Sequence, residues 1–100
     1  MNKYTELSDF KINRRIAVMI HKYSDFIEQY DNKTIYVDGN IFDPCKNPAD
    51  AMPIIIENGI SMVRVNNTWS ARKFNNHCIE INGDNYFRIA MEVYLLMNGK

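Results

Sequence analysis

The stretch Asp43–Ile60, DPCKNPADAMPIIIENGI, decides how this chain folds. Asp43-Pro44 and Asn47-Pro48 are turn-forming pairs, and Asn58-Gly59 is a stop signal. Between them Asn47 and Pro48 read as a helix cap and its first residue, where proline's missing amide hydrogen costs nothing. Asp50 then faces the positive end of that helix. The spacing predicts a helix over Pro48–Glu57, bent or partly 3₁₀ at Pro53, which has no donor for the carbonyl of Ala49. Ile54-Ile55-Ile56 is also compatible with the start of a strand.

Upstream, Ser8 or Asp9 caps a helix whose apolar stripe runs Ile12, Ile16, Met19, Ile20, Tyr23, Ile27. Lys11, Arg14, Arg15 and Lys22 fall on its other side, as a solvated face or an anion- or partner-facing patch. The helix is expected to fade between Glu28 and Asp31. Thr34–Asp38 is β-branched and aromatic, hence a strand. Asp38-Gly39-Asn40 is a tight-turn signal, and Ile41-Phe42 begins a return strand that must stop at Pro44. Downstream, Ile60–Val65, Thr68–Phe74 and His77–Ile81 read as strands joined at Asn66-Asn67 and Asn75-Asn76. Asn82–Asn85 is a loop that caps a last helix, Tyr86–Met97, with Gly99 as its stop. That helix is apolar nearly all round, with Arg88 and Glu92 as an i,i+4 pair, so it should be buried on more than one side. The fold class expected is α+β: an antiparallel four- to five-stranded sheet packed with two long helices and one short central helix, as one domain over residues 1–100.

Composition narrows the function. Twelve basic and twelve acidic side chains cancel, which argues against a protein that grips duplex nucleic acid through phosphates. No apolar run approaches the ~20 residues of a membrane span, and the first residues lack a secretory h-region, so a cytoplasmic protein is expected. Cys45 and Cys78 are too few for a disulfide scaffold. No C-x-x-C or H-x₃-H spacing supports a metal, and the four glycines form no phosphate-cradling loop. Neither His21 nor His77 is tied by spacing to Cys45 as a base.

Leu7–Asn13, Phe42–Met62, Trp69-Ser70-Ala71 and Arg88–Met97 together resemble the NinX-like family of small tailed-phage and prophage proteins, grouped by a phage α-β-α sandwich domain. This chain is shorter than members of the family before the DPC block and after the Trp-x-Ala strand. Lys11 stands where members often carry a capping-box glutamate. The resemblance implies phage origin, a setting in the cytoplasm of the infected bacterium, and this type of fold.

Two readings follow. The first is a non-enzymatic accessory protein that sequesters a small nucleotide signal, without cofactor or metal, through Asp43, Asn47, Asp50, Trp69 and Arg72. Trp69 reads as core or as a flat π-face beside a guanidinium. Asp43, Asn47 and Asp50 read equally as turn, cap and first-turn residues. The second is a module that inhibits or redirects a host or phage protein, with an accessory role in phage DNA recombination as a further alternative. The apolar final helix suggests a homo-oligomer contact.

Overall fold

The computed structural model describes residues 4–21, 27–29, 33–74 and 78–98. Lys22 and Tyr23, the Asn75-Asn76 turn, His77 and Gly99 lie outside them. The elements run α1 (Asp9–Ile20), β1 (Ile27–Glu28), β2 (Ile35–Val37), β3 (Asn40–Phe42), α2 (Pro48–Glu57), β4 (Ser61–Val65), β5 (Thr68–Phe74), β6 (Cys78–Gly83) and α3 (Tyr86–Asn98).

Local chemistry accounts for most boundaries. The Ser8 hydroxyl accepts from the Lys11 amide at 3.2 Å, and the Asn85 side chain accepts from the Arg88 amide at 3.1 Å, so α1 and α3 are both capped as expected. Asp38 (φ 51°) and Gly39 (φ 86°) are both left-handed, which joins β2 to β3 by a two-residue turn with Val37 opposite Asn40. Asn66 (φ 57°) plays the same part between β4 and β5.

Three expectations change, besides Asn82 and Gly83, which were expected in a loop and instead extend β6 opposite Ser70 and Trp69. α1 stops at Ile20, and Ile27 sits in a short strand opposite Val37, not at the end of a helical stripe. An isolated apolar residue fits either period, and pairing with β2 decides which it takes. The strands form two antiparallel three-stranded sheets, β1-β2-β3 and β4-β5-β6, and not one sheet of four or five. Pro44 ends the first meander because it cannot donate to a ladder, and α2 then carries the chain away before β4 begins. The third change concerns α2. It is an unbroken α-helix of 10 residues despite Pro53, against 12 in α1 and 13 in α3, so it is not markedly shorter. Ala49 and Pro53 both lie on its exposed face, where water can solvate the carbonyl left without a donor.

α3 is the middle layer. It packs on β5 and β6 with one side and on α1 and α2 with the other, while α1 also covers β2. Residues 89–95 of α3 are accordingly all buried. A helix thus stands at the centre where the sandwich label suggests a sheet, because only an element apolar all round can be covered on both sides. Gly83 lets β6 approach this helix closely: a Cβ there would sit 2.8 Å from Ile89 Cγ2. Gly83→Ala is therefore expected to cost about 1–3 kcal/mol through overpacking, read as a lowered urea midpoint.

Candidate functional site

The turn between β3 and α2 is built on side chains that bond backbone. Asn47 Oδ1 caps α2 by accepting from the Ala49 amide at 3.0 Å. Asp50 Oδ2 accepts from the Asp43 amide at 2.9 Å and from Asn47 Nδ2 at 3.2 Å. Asn13, buried on α1, completes the arrangement. Its Nδ2 donates to Asp43 Oδ1 at 2.8 Å and its Oδ1 accepts from the Cys45 amide at 3.1 Å. The structure thus brings Asp43, Asn47 and Asp50 together, in roles as turn, cap and first-turn acid. Asn13 was not singled out from the sequence. Its signal is a polar residue beside Ile12 within the buried stripe.

Cys45 is fully buried in that turn. Burial, then the neighbouring Asp9 carboxylate, pushes its thiol far above the ordinary value, so no thiolate is present at neutral pH. Among the described residues, no group of three or more His, Cys, Asp or Glu side chains could hold a metal ion.

Trp69 and Arg72 are engaged elsewhere. Half-buried Trp69 meets Tyr86 edge-on at 4.8 Å, and the Arg64 guanidinium lies 5.1 Å from its ring centroid. Arg72 points to the opposite face of β5. There Nε donates to the buried Ser70 hydroxyl at 3.0 Å and the guanidinium pairs with Glu80 at 3.3 Å. Ser70 in turn donates to Glu80 at 2.8 Å. Arg64, paired across the ladder with Trp69, and Arg72 therefore lie on opposite faces of the sheet.

A second network is centred on Arg88. Its Nη1 donates to Asp9 at 2.7 Å and its Nε to Glu92 at 2.8 Å. Its Nη2 donates to the carbonyls of Tyr4 (2.9 Å), Thr5 (3.3 Å) and Leu7 (2.6 Å). Burial alone would lower its pKa, but the Asp9 and Glu92 bonds outweigh that and hold the guanidinium above its ordinary value. The sequence showed only its i,i+4 pair with Glu92.

Two clefts flank α1. One, of about 730 Å³, lies between the end of α1, the β2–β3 hairpin and α2, with Tyr94 among its lining residues. Its charges are Asp38, Asp50 and Glu57, with His21 against Phe42 at 5.3 Å. The other, of about 810 Å³, is lined by Tyr4, Phe10, Lys11, Arg14, Arg15 and Gln29 among others, and no carboxylate is among its described lining residues. Arg15 lies over the Tyr4 ring at 5.7 Å, and Arg14 Nε donates to Gln29 Oε1 at 2.9 Å. The helical face that reads as solvated or anion-facing in the sequence thus forms one wall of a cleft with aromatic neighbours. Tyr4 and Phe10 carry no sequence signal that places them there.

A family model described as "Bacteriophage P22, NinX" matches residues 3–98. No curated protein and no solved structure matches.

Asn13→Ala leaves the buried Cys45 amide without its acceptor and should cost about 1–3 kcal/mol, read by denaturant unfolding. Cys45 also predicts an alkaline loss of stability. Its folded-state pKa lies above the ordinary 9.0, so the unfolded chain releases the proton first. Its contribution is whole below pH 9 and falls as pH rises beyond that. Cys45→Ala should show a shallower decline in urea midpoint above pH 9 than the unaltered chain.

Proposed function

The chain belongs to the NinX family of bacteriophage P22, and from that premise we propose that it is a non-enzymatic phage protein that sequesters a small nucleotide-like anion. The observation that carries this reading is the basic cleft. Lys11, Arg14 and Arg15 supply three cations in one hollow, with Tyr4 and Phe10 as aromatic neighbours. Its volume of about 810 Å³ suits a small organic ligand. A planar guanidinium binds phosphate oxygens in pairs, and the half-buried Phe10 ring offers a base apolar surface, while Tyr4, 3% exposed beneath Arg15, serves as wall.

The acidic cleft supports the same placement by contrast, since Asp38, Asp50 and Glu57 would repel an anion there. The ligand is therefore proposed beside Arg14, away from Asp43, Asn47 and Asp50. Cys45, with its buried neutral thiol, offers no nucleophile, in keeping with holding a ligand without altering it. In an infected cell such a protein would lower the free concentration of a host nucleotide signal.

Calorimetry against mononucleotides and linear and cyclic dinucleotides tests this. At least one ligand should bind with micromolar or tighter affinity and weaken as salt rises. Arg14→Ala should weaken it about tenfold, the loss of one charge-assisted hydrogen bond. A panel without binding would overturn the reading and leave the protein-binding module, for which the exposed Ile41 and Ile56 speak.

A further inference from the structure

β4 is an edge strand without the usual guards. Among the described residues no strand lies on its outer side, and no backbone bond from outside the ladder reaches Met62 or Arg64. Native edges are commonly blunted by proline, lysine or a bulge. The five residues of β4, SMVRV, hold neither proline nor lysine, and their register against β5 runs without a bulge. The charge on Arg64 does not shield the edge either, because its guanidinium turns back over the Trp69 ring at 5.1 Å. Hydrogen-bond parity fixes which groups are open. Val65 and Thr68 close a two-residue turn and so form a hydrogen-bonded pair. Such pairs alternate along an antiparallel ladder. Val65, Val63 and Ser61 therefore bond β5, while Met62 and Arg64 turn their amides and carbonyls outward. Ile60, next in that outward series, gives its amide to the Ile55 carbonyl at 3.0 Å, so the open edge begins at Met62.

We propose that β4 pairs antiparallel with β4 of a second copy, about a two-fold axis at Val63. Of the axes this parity allows, one at Arg64 would set the two Arg64 side chains directly opposite each other. One at Met62 would set Arg64 against Ile60, whose amide is already bonded. The axis at Val63 uses only open groups. Met62 of each copy exchanges both hydrogen bonds with Arg64 of the partner, Ser61 stands opposite the partner's Val65, and Val63 meets its own counterpart. Val63 is 36% exposed and lies on the sheet face away from α3, since Met62 and Arg64 share the face of Ala71 and Trp69. The two β4-β5-β6 sheets then run on as one, and the contact is isologous and closes at two. α3 offers no such surface over residues 89–95, which are buried within its own chain. None of the β4 residues lines the basic cleft, so the dimer stands or fails independently of the ligand reading.

Light scattering coupled to size exclusion tests this on the full chain without nucleotide. At about 0.1 mM, a concentration suited to a contact smaller than a standard interface, the protein should run at twice its mass of 11.8 kDa. Hydrogen exchange should slow at the Met62 and Arg64 amides as the dimer forms. Val63→Lys and Val63→Glu each set like charges against each other across the axis and should give monomers with unchanged circular dichroism. Mixing the two variants sets lysine against glutamate and should restore the dimer. A monomer of the unaltered chain at that concentration overturns the proposal and leaves the edge to an extended segment of another protein. A dimer that survives both substitutions, or a mixture that stays monomeric, overturns it as well.

Discussion

The Arg88 guanidinium is the interaction on which the rest of this structure depends. Set on the side of α3 with 13% of its side chain exposed, it must find acceptors within the chain for the donors of its three nitrogens. It finds them on Glu92, on Asp9 and on the carbonyls of Tyr4, Thr5 and Leu7. Three of these are backbone carbonyls of the segment before α1, and the Tyr4 carbonyl also accepts from the Leu7 amide at 3.2 Å. One side chain therefore fixes where the chain enters α1 and how α1 lies on α3. A lysine could not replace it, because an ammonium lacks the planar fork that serves a carboxylate on each of two edges and the carbonyls together.

That placement sets up both clefts. With α1 held against α3, its outward face presents Lys11, Arg14 and Arg15 beside Tyr4, which Arg88 itself ties down. The end of α1 meets the β2–β3 hairpin, where His21 rests edge-on against Phe42. Asn13 joins α1 to the turn before α2 through Asp43 and Cys45, which settles the opposite wall. Electrostatic polarity in this chain is thus a product of packing. Equal numbers of acids and bases become one basic and one acidic hollow because a single helix separates them.

Where a feature depends on neighbours along the chain, it was legible. Asn47-Pro48 announced α2, Asp38-Gly39 announced the first hairpin turn, and the all-apolar run after Asn85 announced a helix covered on two sides. Asp43, Asn47 and Asp50 could be gathered from sequence because all three belong to one turn. Trp69 and Arg72 could not be added to them. Alternation along β5 sends these two side chains to opposite faces, and each has its own partners there.

Taken alone, the sequence determined the kind and order of most elements, their caps and turns, and the family of phage proteins to which the chain is akin. Only the tertiary structure decided that the strands divide into two sheets, that Ile27 pairs as a strand, and that α3 stands between layers. It alone gave Arg88 acceptors up to 84 positions away and turned a basic helical face into a cleft. The reason is one of range. Caps, turns and periodicity act over a few residues, whereas strand partners and the acceptors of a buried cation are settled by whichever distant segments packing brings together.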